Sequence, residues 1–496
     1  AITAEVNIDT GVNFYLVGLA DNAVKESQQR IDAALKNNGY RIPGRKIVIN
    51  LAPANIRKEG SAYDLTIAIG ILAASEQISK EHIDQYLMMG ELSLDGSLKK
   101  IKGTLPIAIE AAKAGFKGFI LPEENAKEAA VVNSLNVFGV KNIKEVCDFF
   151  DNKAELQRTV INVENEFNHK LNDFDYDFAD VKGQENIKRS LEISAAGGHN
   201  LIMIGPPGSG KTMLAKRLPT ILPPLTIEEA LETTKIHSVA GKMPSNKSLI
   251  TVRPFRSPHH TISDVALCGG GSMAQPGEIS LAHNGVLFLD ELPEFKRTVL
   301  EVLRQPLEDR LITISRAKFS VEYPTTFMLV ASMNPCPCGY YNHPEKNCVC
   351  APGVVKKYLN KISGPLLDRI DLHIEVTPVP FKELSTQKDG EKSQIVRDRV
   401  IKARLIQQKR FSGVNGIYCN AQMTTKMLKN YCIINDAGLT LLKTAMERLG
   451  LSARAYDRIL KVSRTIADLD NSENIRSDHL SEAINFRTLD RDNWGT

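Results

Sequence analysis

An apolar run, Leu201–Ile204, passes directly into Gly205-Pro206-Pro207-Gly208-Ser209-Gly210-Lys211-Thr212 and then into a helical run from Met213 to Leu218. No other segment constrains the fold as much. A glycine loop of this spacing lets successive backbone N–H groups face a phosphate at a helix N-terminus, so the segment has to be a strand, a tight loop and a helix. In this P-loop pattern the side chain of Lys211 reaches the β- and γ-phosphates of ATP, and the Thr212 hydroxyl takes a magnesium position.

A nucleotide site also needs a carboxylate for magnesium and a base for water. Val286-Leu287-Phe288-Leu289 is an apolar strand ending in Asp290 and Glu291; paired with a P-loop, such an end assigns Asp290 to magnesium and Glu291 to the attacking water. Alone, the same two acids read as a solvated strand cap. Asn334 follows the apolar strand Phe327–Ala331 and suits holding that water against the γ-phosphate, although an Asn before Pro335 is also an ordinary turn former. Arg369, flanked by Asp368 and Asp371, reads either as an arginine finger toward a neighbouring subunit or as a surface ion pair.

The 496 residues divide by composition. Residues 1–150 mix short strands (Lys46–Leu51, Phe119–Leu121) with helical periodicity (Leu65–Ala74, Ala108–Ala114), which predicts a compact α/β domain. Residues 151–176 turn polar and read as a linker. Residues 177–380 alternate buried-type apolar strands with helices, which suits a P-loop core on a parallel sheet. From 381 to 496 strand signals fade and amphipathic helices take over, predicting a helical lid.

With 43% hydrophobic and 24% charged residues, no apolar run of membrane length and no basic-then-apolar start, the chain reads as cytoplasmic, with no membrane partner. A net charge of +4 decides nothing about nucleic acid. Lys392–Arg410 carries seven Lys or Arg against Asp398 alone, a positive band that is either a solvated helix face or a nucleic-acid surface. Of eight cysteines, Cys336, Cys338, Cys348 and Cys350 form two Cys-x-Cys pairs, a ligand set for tetrahedral zinc. A redox disulfide pair and free thiols are the alternatives, and His343 lies within the same loop.

Further residues carry a resemblance: Arg253-Pro254-Phe255-Arg256-Ser257-Pro258-His259-His260-Thr261, then Pro276-Gly277-Glu278-Ile279-Ser280-Leu281-Ala282-His283-Asn284-Gly285 running into the Asp290 strand. The N-terminal stretches Val48–Ala54 and Arg57–Gly60 agree with it. The chain resembles the YifB/ComM family of magnesium-chelatase-like AAA+ ATPases over nearly its whole length. That resemblance implies a hexameric ring with ATP between subunits, Arg369 acting in trans, and Arg454 of Leu451-Ser452-Ala453-Arg454 as a second sensor from the lid. It also implies a DNA helicase that drives branch migration in homologous recombination during natural transformation.

Residues 1–150 are similar to the protease domain of Lon, at Lys58–Ala62 and Met89–Gly96. Lon-type proteolysis needs a Ser activated by a Lys. Here the nucleophile position falls on Ala62 and the Lys position at Leu105 or its neighbour, so a degenerate, noncatalytic scaffold is expected. Families of this type point two insertions at the ring pore, which implies DNA contacts from His259 and His260 in Phe255–Ser272 and from Arg316 and Lys318 at the tip of a hairpin, Leu311–Ile314 with Phe319–Tyr323. A basic tip suits sliding phosphate contacts, single-stranded or branched; an ordinary exposed turn is the alternative. Two other functions compete: a chelatase-type remodelling ATPase acting on a protein or metal-insertion partner, and an ATP-dependent protease.

Overall fold

The computed structural model describes residues 2–55, 58–164, 167, 174, 176–244, 247–316, 320–341, 343, 345–351, 353–379, 390–414 and 416–487. The chain forms two compact units, residues 1–169 with 230–250, and residues 170–229 with 251–496.

In the first unit the alternation of Lys46–Ala52 makes a half-buried strand with Ile47, Ile49 and Leu51 inward. It pairs antiparallel with Thr3–Asp9 and parallel with Phe14–Val17. Helix Asp64–Ala74 is apolar almost all round and is buried accordingly. A second sheet, all parallel, orders Tyr86–Met88, Gly118–Pro122 and Asn136–Val140, and its continuous apolar central strand is buried throughout. Residues 230–250 lie within the stretch expected for the ATPase core yet group with this unit. Ser238 explains part of that: its carbonyl accepts the Gly103 N–H at 2.9 Å, and its hydroxyl donates to the buried Glu128. Burial pushes the Glu128 carboxyl up, against the pull of Ser238 and the Leu105 N–H.

The second unit is built on a five-stranded parallel sheet in the order Phe255–Arg256, Val286–Leu289, Met328–Met333, Leu201–Ile204, Leu372–Glu375. Met333 pairs with Ile204, so those two strands end together, and Leu289, level with Ala331, ends its strand two residues earlier on the same side. Gly205, Asp290 and Asn334 therefore emerge at one carboxyl edge, where open parallel sheets bind ligands. All three strands are buried at every residue. Their pleat divides them between two cores: Leu201, Met203, Phe288 and Val330 face the C-terminal helices, while Ile202, Leu289, Leu329 and Ala331 face Leu300, Leu303, Leu366 and Ile370. Each fully buried side chain of this size contributes about 1.5–3 kcal/mol.

The helices Ser393–Arg410, Thr425–Tyr431, Asp436–Leu449, Ala453–Leu469 and Ser477–Asn485 follow the sheet. Ala453–Leu469 starts at a Ser452 cap that accepts the Ala455 N–H at 3.2 Å, and its apolar stripe (Ile459, Leu460, Ile466) joins the sheet's core. A buried polar network ties the same layers: His199 meets Asp371 at 3.2 Å and Thr465 at 2.8 Å, and Arg458 reaches Asp371 at 3.0 Å. The chain then returns to the sheet edge, where the His373 N–H donates to the Phe486 carbonyl at 2.7 Å and buried Arg487 donates to the Ile370 carbonyl at 2.6 Å. The expected fold class, an α/β N-terminal region, a parallel P-loop core and a helical C-terminal region, is the one observed. Among the described residues no helix is long and apolar enough to cross a membrane.

Candidate ATP site

The P-loop strand delivers Gly205 against the neighbouring strand, where its N–H donates to the Met333 carbonyl at 3.2 Å. A Cβ at Gly205 would stand 2.3 Å from the Val376 carbonyl oxygen, and Gly208 and Gly210 turn at φ of +79° and +89°. The first position has no room for a side chain and the other two have the wrong backbone for one. Gly210 caps the helix Lys211–Arg217. The ammonium of Lys211 folds back on the loop, donating to the carbonyls of Gly205 (2.8 Å) and Pro206 (2.9 Å) and to Asn334 Oδ1 (3.3 Å). Burial lowers its pKa, opposed by Asp290 and Glu291. A desolvated ammonium held by neutral carbonyls is a receptor for an anionic phosphate.

Thr212 Oγ1 donates to Asp290 Oδ2 at 2.7 Å; the other Asp290 oxygen accepts from the Ser332 hydroxyl and from the Glu291 N–H at 3.1 Å. A hydroxyl and a carboxylate oxygen sharing one position are the donor set of a hard cation, so these residues fit magnesium. Glu291 turns out of the strand at φ +55°, and its Oε2 lies 3.6 Å from His260 Nδ1. Glu291 and Asn334 border a cleft of about 410 Å³ with Pro337, Lys357, Tyr358 and Lys361.

The four clustered cysteines also converge. Their sulfurs all lie within 4.8 Å of one another, with Cys336 at 3.3 Å from Cys338 and 3.7 Å from Cys348, and Cys338 at 3.5 Å from Cys348. Tetrahedral zinc with Zn–S of about 2.3 Å sets S···S near ~3.8 Å, so the donor set fits. Burial pushes the Cys336 thiol up to about 12; at Cys338 burial also pushes up, but the N–H groups of Tyr340 and Val349 together with the Cys336 and Cys350 thiols bring it down to about 6.

Comparison with known proteins agrees with this geometry. The profile for magnesium chelatase, subunit ChlI, matches residues 177–384; those for subunit ChlI of Mg-chelatase and for the ChlI C-terminal region match residues 4–125 and 390–487. Protein YifB of Escherichia coli (strain K12) is 45% identical over 99% of this chain and 94% of its own length. Competence protein ComM of Haemophilus influenzae is 44% identical over 99% of this chain and 95% of its own length. The chain belongs to the YifB/ComM family of magnesium-chelatase-like AAA+ ATPases. Lon protease 2 of Bacillus subtilis is also similar, 29% identical over 29% of this chain and 27% of its own length.

In this YifB/ComM chain the two further arginines are engaged locally. Arg369 is buried, donating to the Pro365 carbonyl and pairing with Glu308, and exposed Arg454 donates to Asp368 at 2.9 Å. Among the described residues no hydrogen bond joins either arginine to Lys211, Asp290 or Asn334.

The hairpin forms with Ser315 opposite Ser320. Exposed Arg316 follows its first strand and donates to the Gly271 carbonyl at 2.8 Å, and the Tyr323 hydroxyl donates to the Ala274 carbonyl at 2.9 Å, so the two insertions meet. Lys318 and Arg57 lie outside the described residues. The His259 and His260 rings lie 4.1 Å apart, tilted by 34°; His259 bonds Thr261, and His260 meets Phe295 as well as Glu291. In the Lon-like region Ser61 donates to Glu91 and fully buried Lys58 donates to the Pro53 carbonyl, while Leu105 is buried and Ala62 offers no hydroxyl.

Sequence reasoning misses Ser332, Tyr358 and the approach of His260 to Glu291. Ser332 leaves a faint signal, a hydroxyl inside an apolar strand. The motif around His260 points to DNA and not to Glu291, and Tyr358 carries no signal at all.

Proposed function

We propose that this chain is a ring-forming AAA+ ATPase, most simply a homo-hexamer in the cytoplasm, that couples ATP hydrolysis to movement along single-stranded or branched DNA. In this reading it drives branch migration during integration of transforming DNA. The join between Arg316 and Gly271 carries the reading: an exposed arginine at the end of the hairpin's first strand meets a glycine of the other insertion on a P-loop unit, and sliding phosphate contacts need charge without base readout. Near-full-length likeness to a protein named for competence supports it.

Lys211 and the loop amides hold the β- and γ-phosphates, and Thr212 with Asp290 holds magnesium, which neutralises phosphate charge when bound. Glu291 takes the proton of the water that attacks the γ-phosphorus, and Asn334 orients that water. Arg369 serves the neighbouring subunit's ATP and Arg454 reports nucleotide state from the helical region; both first leave their present partners, Glu308 and Asp368. Cys336, Cys338, Cys348 and Cys350 hold one structural zinc. Residues 1–150 act as a noncatalytic scaffold.

The test is ATP turnover without DNA and with single strands, duplex and a branched junction. Stimulation by DNA, strongest with the junction, is expected. Turnover indifferent to every DNA and raised only by a partner protein would overturn the DNA motor in favour of chelatase-type remodelling.

A further inference from the structure

The cysteine loop is attached to the ATP site at three points. It begins two residues after Asn334, whose side chain accepts from Lys211. It ends just before the helix Val354–Leu359, whose buried Tyr358 brings its hydroxyl near the Asn334 N–H, so the loop's exit approaches its entrance. Between them, Gly339 turns at φ +83° so close to the P-loop that a Cβ there would stand 2.5 Å from Pro207 Cδ. The Gly339 N–H donates to the Cys336 carbonyl at 3.0 Å, so that approach is fixed by the same turn that aims Cys336 and Cys338 inward.

The sulfurs are supported as ligands usually are. The Tyr341 N–H points at Cys336, those of Tyr340 and Val349 at Cys338, and that of Cys338 at Cys350. Amide N–H groups aimed at sulfur favour thiolates and orient them toward a metal. Among the described loop residues Cys338, Cys348 and Cys350 are only partly buried, and Val349 between the last two is 83% exposed.

We propose that metal bound by these four cysteines is a clasp on the ATP site, setting Asn334 from one side and Pro207 from the other, so that metal occupancy and nucleotide affinity are coupled. This rests on the zinc reading given above and adds the coupling to it. Because coupling between two binding sites is reciprocal, nucleotide must in turn retain the metal.

The experiment uses the full chain. Elemental analysis of protein purified without chelators gives zinc per chain, and competition with a chromogenic chelator of known affinity gives the zinc affinity with and without ADP. One zinc per chain, bound about five-fold or more tightly with ADP, is the expected result. Zinc present but bound with the same affinity with ADP overturns the clasp while leaving the site; absence of zinc overturns the site itself. Gly339→Ala keeps all four thiols but presses on Pro207. With zinc content and circular dichroism retained, it should weaken ADP binding by about five-fold or more. ADP affinity equal to the wild type would overturn the route through Pro207.

Discussion

His260 Nδ1 stands 3.6 Å from Glu291 Oε2, so the carboxylate proposed to activate water already has a partner in the loop that follows the edge strand. A restrained base turns over slowly until it is released. Replacing His260 with Ala should raise basal ATP turnover by up to about five-fold, the scale of an exposed pair worth ~0.2–1 kcal/mol, with nucleotide affinity unchanged. Steady-state kinetics decides: a fall in kcat would make His260 an aid to Glu291 instead of a restraint.

Lys211 and Glu291 should separate binding from hydrolysis. Lys211→Ala removes a buried positive charge and is expected to weaken nucleotide binding by about 1.5–3 kcal/mol for each hydrogen bond its ammonium gives to phosphate. Glu291→Gln should keep affinity near wild type and lower kcat about 10²–10⁴-fold, the usual contribution of a positioned acid or base. Fluorescent-nucleotide titration beside phosphate release measures both, and wild-type turnover by Glu291→Gln would exclude it as the base.

The hairpin predicts a salt effect. Replacing Arg316 and Lys318 together with Ala should leave assembly and basal ATPase intact while lowering DNA affinity and stopping strand movement. The slope of log affinity against log salt should shrink by roughly one unit for each phosphate left without its cation. Failure to assemble, seen by size-exclusion chromatography with ATP, would mean instead that the hairpin stabilises a subunit interface.

Lys461 makes stability pH-dependent. Burial, aided by Arg458 and opposed by Asp371 and Asp457, brings its ammonium from 10.5 down to about 8. Its pKa is depressed on folding, so between those values the unfolded chain binds more protons, and the folded state gains stability as pH rises through the window. Lys461→Met removes the effect. Wild type should therefore gain in Tm relative to the variant between pH 8 and pH 10.5, and a constant difference would show that the ammonium is not desolvated.

Much of the candidate ATP site is legible in the sequence because its chemistry is local in the chain. The glycines of 205–210, the acids ending the Val286–Leu289 strand and the Cys-x-Cys pairs are each set by spacing within a dozen or so residues. The apolar runs buried on both faces likewise announce a parallel sheet. What sequence leaves out are contacts across the fold. Gly339 against Pro207 spans more than a hundred residues, and nothing in the glycine itself announces it. The grouping of residues 230–250 with the first unit depends on Ser238 finding Glu128, a polar pair with no periodicity. Arg369 reads from sequence as a candidate for ion pairing, but its partner Glu308 is not among the acids beside it in the chain.

The seam where Phe486 and Arg487 return to His373 and Ile370 bears on biosynthesis. Chains emerge from the ribosome N-terminus first and fold as they emerge. The P-loop strand is made early, but the edge strand beside it keeps an unfilled side until residue 487 is out, some 280 residues after Gly205. The five-stranded sheet therefore gains its partner at His373 only after all of its own strands have been made. Until then its Leu372–Glu375 edge presents unpaired backbone groups on which another strand could pair.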